Sequence, residues 1–255
     1  MSAQGGAFVQ TEVDDRGVGT ITFAHPASNS LPGHLLRKLA ESISAAGTSD
    51  EIKVVVLRSA GDRAFCAGAS FDELVAIQNE QEGLDFFSGF AMVINAIRTC
   101  PKFVVGRVQG KAAGGGVGLA SAVDICYATS YASVKLSELA VGIGPFVVGP
   151  AVERKIGTSA MGMLAIDAKS WKDARWAAQQ GMYTEVFDNA SDMDNAIDAL
   201  TTDLASSNPE AMSELKRVLW EGTEHWDDLL MERAAVSGRL VLSSFTKDAI
   251  ARFKS

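Results

Sequence analysis

Two short runs rich in Val, Thr, Ile and Phe, residues 9–13 and 19–23, flank Asp14-Asp15-Arg16-Gly17. That pairing predicts a β-hairpin. Over 35–46 the apolar positions Leu35, Leu36, Leu39 and Ile43 recur at helical spacing, and 52–57 is an unbroken apolar run of strand length. Ser70 with Glu73 has the spacing of a capping box, so a helix is expected directly after Ala67-Gly68-Ala69. Residues 86–97 are apolar with helical periodicity. Strand 103–108 follows, then a glycine-rich turn opening a helix, strand 124–128, and a short strand at 133–136 that leads into Ser137-Glu138.

This alternation argues for an α/β fold with sheets largely covered by helices. Beyond about residue 190 the signals turn wholly helical. Asn208-Pro209 opens a helix carrying Leu215, Val218 and Leu219, another spans 226–242, and 247–253 forms the last. The division expected is a core over 1–190 and an appended helical region over 191–255. Residues 1–6 are read as a short disordered leader.

Composition narrows the classes. A chain of 255 residues with 47% hydrophobic and 21% charged positions is ordinary for a soluble globular protein. A formal net charge of -8 argues against a nucleic-acid or anionic-membrane surface. The longest apolar stretch, 141–152, is too short for a membrane span and is broken by glycine and proline. Cys66, Cys100 and Cys126 lack metal-ligand spacing and are odd in number, so they are read as buried thiols in a reducing, cytoplasmic setting. His25, His34 and His225 are scattered; neither a histidine triad nor a bound metal is expected.

Two turns stand out chemically. Lys111-Ala112-Ala113-Gly114-Gly115-Gly116-Val117-Gly118 passes from a strand into a helix, where bare backbone N–H groups and the helix dipole favour negative charge. Phe65-Cys66-Ala67-Gly68-Ala69-Ser70 is a second candidate donor turn. N–H groups brought together from separate turns can form an oxyanion hole. The plainer alternative is a tight turn that needs no ligand. Glu138 likewise has a plain reading, a surface carboxylate paired with Lys135.

These segments together resemble the crotonase (enoyl-CoA hydratase/isomerase) superfamily. The likeness rests on His25-Pro26 in the first loop, the two turns above, Ala122-Val123-Asp124-Ile125-Cys126-Tyr127-Ala128, Ser137-Glu138-Leu139-Ala140-Val141-Gly142-Ile143-Gly144-Pro145, and residues 171–186, where a helix leads through Gly181 to a short strand. The resemblance implies a spiral of ββα turns with a C-terminal helical trimerisation region. It implies a homotrimer or dimer of trimers, and an acyl-CoA thioester as substrate with no further cofactor. The oxyanion donors it implies are the N–H groups of Ala69 and Gly115. Ala67, Gly68, Gly114 and Gly118 fall in the substrate-binding turns. Phe71, Phe86, Phe87, Phe90 and Phe146 are candidates for an acyl pocket, and Phe253 and Lys254 match loosely a C-terminal pair that reaches a neighbour's CoA.

Hydratases of this family carry two glutamates, at the positions of Gly118 and Glu138. This chain keeps only Glu138. One carboxylate suits a proton shuttle from C2 to C4, the logic of the Δ3,Δ2-enoyl-CoA isomerases, whose pattern Val141-Gly142-Ile143-Gly144-Pro145-Phe146 also resembles. Glu138 is then the sole acid/base. The alternatives are a hydratase, a decarboxylase or thioester hydrolase, and a catalytically idle acyl-CoA-binding relative; Asp72 or Glu73 could replace the missing carboxylate, although solvated or capping roles are the simpler reading.

Overall fold

The computed structural model describes residues 6–254, with side chains as far as Arg252. The expectations for 1–5 and for the side chains of Phe253 and Lys254 lie outside the described residues. Strands β1 (Phe8–Val13) and β2 (Val18–Ala24) form the antiparallel hairpin. Asp14 holds its turn by accepting from the backbone N–H groups of Arg16 and Val18. Helix α1 (Gly33–Thr48) follows and buries Leu35, Leu36, Leu39 and Ile43.

From there the chain repeats one unit, in which each turn adds a strand to each of two sheets. β3 (Val54–Ser59) and β4 (Ala64–Cys66) precede α2 (Phe71–Ala76) and α3 (Glu80–Thr99). β5 (Val104–Val108) and β6 (Lys111–Ala113) precede α4 (Gly115–Ala122). β7 (Ile125–Thr129) and β8 (Ser133–Lys135) lead to a 3₁₀ turn, Glu138–Val141, and α5 (Gly149–Ile166). β9 (Lys172–Asp173), α6 (Ala174–Gln179) and β10 (Glu185–Phe187) complete the spiral. The larger sheet runs β1-β2-β3-β5-β7-β10, parallel after the hairpin, and the smaller runs β4-β6-β8-β9. The core is the α/β spiral expected.

The helices α7 (Ala190–Ala205), α8 (Pro209–Leu219), α9 (Trp226–Leu240) and α10 (Ser244–Lys254) follow. Met193 and Ile197 of α7 pack on Val18, Val54, Val56 and Val105, closing the outer face of the larger sheet. On α9, Trp226, Leu230 and Ala234 join the main core. The α3–α9 crossing is tight because both helices present glycine: a Cβ on Gly83 would lie 2.6 Å from the Gly238 Cα. Helix α8 differs from the usual amphipathic pattern. Its Lys216 is buried and pairs at 2.9 Å with buried Asp124, while Leu215, Val218 and Leu219 remain about half exposed. Asp124 also accepts from the Val104 N–H and the Trp220 indole, so one carboxylate ties α8 to the larger sheet.

Candidate active site

The donor turn and the glycine turn follow adjacent strands, since β4 and β6 pair in the smaller sheet. The Leu31–Ala69 bridge fixes the first turn: Leu31 donates to the Gly68 carbonyl at 2.8 Å and accepts from the Ser70 N–H at 3.2 Å. In a parallel bridge of this kind the N–H of Ala69 points away from Leu31 and meets no acceptor among the described residues. Gly68 has φ +91, and a Cβ there would strike the Ala113 carbonyl at 2.9 Å and reach the Gly115 nitrogen at 3.4 Å. That closeness sets the two turns side by side. Gly114 adopts φ 50, ψ -118, open only to glycine, and donates to the Lys135 carbonyl at 2.9 Å. Gly115 then stands first in α4, with its N–H free of any partner in the helix.

Gly115, Gly116 and Gly118 satisfy the plainer packing reading as well. A Cβ on each would fall within 2.1 Å of the Phe90 ring, 2.5 Å of the Cys66 carbonyl and 2.5 Å of Val148 Cγ1 respectively. Gly118, expected among the substrate-binding residues, packs against Val148. It lies outside the cavity, behind Val148, which does line it. The position where a second carboxylate was sought is filled by an apolar side chain.

Glu138 opens the 3₁₀ turn immediately after β8. Its carbonyl accepts from Ile143, and Gly142, at φ +83, closes the turn against Phe245 and Thr246 of α10. The carboxylate faces the glycine turn: a Cβ on Gly114 would stand 3.0 Å from Oε1. Its Oε2 is shielded from solvent and has no hydrogen-bond partner. Desolvation pushes the carboxyl up from 4.5 to about 7. No pairing with Lys135 occurs, because that ammonium sits 4.7 Å above the Trp171 ring.

Ala67, Gly68, Ala69, Gly114, Gly115 and Glu138 line one cavity of about 550 Å³. Phe71, Phe87, Phe90 and Phe146 add aromatic walls, with Leu74, Val141, Ile143, Pro145, Val147 and Val148. Phe86 is not in the wall; it packs edge-on against Phe87 with ring centroids 5.0 Å apart. His25, Ser28, Ser30 and Asp72 supply polar lining. His25 is engaged through Nδ1, which accepts from the Ala27 N–H and lies 3.2 Å from Ser30 Oγ, in keeping with a loop role. Ser70 caps α2 by accepting from the Glu73 N–H, but Glu73 does not return the bond. It accepts from Gly33 at the start of α1 instead, so the capping box is half formed and Glu73 is withdrawn from the site. Ser237 of α9 also lines the cavity, and no local sequence signal marks it. Desolvation pushes the buried Cys66 and Cys126 thiols up to about 12, away from the thiolate form. Among the described residues no cluster of His, Cys, Asp or Glu could hold a metal, and no helix is long and apolar enough to cross a membrane.

The enoyl-CoA hydratase/isomerase family profile matches residues 14–251. The human mitochondrial methylglutaconyl-CoA hydratase is 29% identical over 219 residues, covering 84% of this chain but only 64% of its own length. A peroxisomal Δ(3,5)-Δ(2,4)-dienoyl-CoA isomerase of Arabidopsis thaliana is 25% identical over 77% of this chain and 74% of its own. The crystal structure of an enoyl-CoA hydratase from Bacillus halodurans superposes with a TM-score of 0.88 at 21% identity, covering 96% of this chain and 99% of that one, a likeness of fold. The chain belongs to the enoyl-CoA hydratase/isomerase family.

Proposed function

We propose that this protein is a Δ3,Δ2-enoyl-CoA isomerase in which Glu138 is the sole acid/base. The observation that carries the reading is the lone shielded carboxylate beside two free backbone donors, with Val148 where a second acid would have to enter. A thioester carbonyl seated between the N–H groups of Ala69 and Gly115 becomes an enolate when C2 loses a proton, and those donors stabilise the charge. Losing one donor of this kind costs roughly a hundred- to a thousand-fold in rate. Glu138 takes the C2 proton and delivers it to C4 of the dienolate, so the double bond moves from C3–C4 to C2–C3. A carboxyl near 7 can both accept and release that proton at neutral pH.

Hydration of a 2-enoyl thioester needs a second group to hold and deprotonate water, and Asp72, at the cavity lining, is the residue that could supply it. The same reading takes CoA as part of the substrate rather than as a separate cofactor, and a soluble, cytoplasmic setting. It also takes an assembly of three copies or a pair of trimers, for which the half-exposed Leu215, Val218 and Leu219 offer an apolar surface. Turnover of 3-enoyl-CoA and 2-enoyl-CoA by wild type and Glu138→Gln tests the reaction. The expected result is double-bond migration with little hydration, abolished by the substitution. Strong hydration, or migration that survives Glu138→Gln, would overturn it.

A further inference from the structure

The loop between β2 and α1 holds two consecutive non-glycine residues in the left-handed region, Ser28 at φ 54 and Asn29 at φ 56. Such conformations persist only where the surroundings over-determine them, and they gather at functional sites. Here the determinant is the Asn29 side chain, a residue only 7% exposed. Its Oδ1 accepts from the His25 N–H at 3.0 Å, and its Nδ2 donates to the carbonyls of Ala60 and Ala64, each at 2.9 Å. Ala60 follows β3 and Ala64 begins β4, so a single amide ties the loop to both ends of the connection that delivers the donor turn.

The residues flanking Asn29 grip that turn directly. Ser28 accepts from the Ala67 N–H at 3.2 Å, Leu31 donates to Gly68, and Leu31 accepts from Ser70. These three bonds bracket Ala69 on both sides and leave its N–H for the cavity. The Ala64 carbonyl takes a further bond from Gln109 at 3.1 Å, so the anchor point is itself fixed from β5's end of the sheet. Asn29 does not itself line the cavity, but its partner His25 and its chain neighbours Ser28 and Ser30 do.

We infer that Asn29 is a positioning residue that sets the orientation of the Ala69 N–H toward the thioester oxygen. The inference rests on the oxyanion-hole reading above. Asn29→Gly is the informative variant, because glycine tolerates the left-handed backbone and only the amide anchors are lost. The measurement is the infrared carbonyl frequency of bound butyryl-CoA labelled with ¹³C at the thioester, alongside kcat and KM. Wild type and Glu138→Gln should both shift the carbonyl to lower frequency, since neither alters a donor. Asn29→Gly should lose most of that shift and about ten- to a hundred-fold in kcat, short of deleting a donor outright, with KM changed less than about threefold. A folded Asn29→Gly protein with the full carbonyl shift and unchanged kcat would overturn the positioning role while leaving the oxyanion hole standing. An unshifted carbonyl in wild type would overturn the oxyanion hole, and the proposal with it.

Discussion

Replacing Glu138 with glutamine should stabilise the protein increasingly as pH rises. In the folded chain desolvation pushes the carboxyl up from its ordinary 4.5 to about 7, with Oε2 shielded and without a partner. A folded-state value raised above the unfolded one contributes stability that is present below the unfolded value and lost as pH rises toward the folded one. Between those two values the unfolded chain sheds its proton while the folded chain keeps it. Above about pH 7 both are ionised and the loss levels off. At about 1.4 kcal/mol per pH unit, the interval from 4.5 to about 7 corresponds to about 3 kcal/mol. Glutamine has the same shape and does not titrate. Urea unfolding of both proteins from pH 5 to 8 should therefore show the stability difference shifting toward the variant by about 2 to 3 kcal/mol, most of it before pH 7. A difference that is flat with pH, or that shifts toward wild type, would refute the argument that the site desolvates this carboxylate.

Under the proposed mechanism the same ionisation sets the pH profile: kcat/KM should rise with pH through an apparent value of about 7. Gly118→Ala should destabilise by about 1 to 3 kcal/mol by forcing a methyl group against Val148, and a second change, Val148→Ala, should recover most of that in thermal unfolding. Lys216→Met should cost about 3 kcal/mol by stranding buried Asp124, while activity per folded molecule stays unchanged in a titrated assay.

Much of the candidate site was legible because its proposed chemistry rests on backbone turns. Ala67-Gly68-Ala69 and Gly114-Gly115-Gly116 stand beside recognisable strands, and Glu138 follows β8 directly. The hairpin, α1 and the parallel strands were equally legible, since their apolar periods match the faces they bury. Helix α5 was not, because Gly149 and Pro150 open it and Gly157 interrupts it at φ +76. Strands β4, β6 and β9 span only two or three residues, too few for any period to register. The remaining misses are tertiary. Nothing local says that Phe87 rather than Phe86 faces the cavity, that Ser237 of a distant helix lines it, or that Val148 stands between Gly118 and the cavity. Lys216 breaks the amphipathic rule on α8 because its partner, Asp124, lies in another part of the chain.

A single carboxylate that carries one proton between two carbons leaves an isotopic trace. A 3-enoyl-CoA deuterated at C2 and turned over in ordinary water tests this most directly. If Glu138 shuttles the proton from C2 to C4, a substantial fraction of the 2-enoyl-CoA formed in the first turnovers should carry deuterium at C4, and Glu138→Gln should form none of that product. Product whose new C4 hydrogen comes entirely from solvent, formed equally well by the variant, would contradict the account.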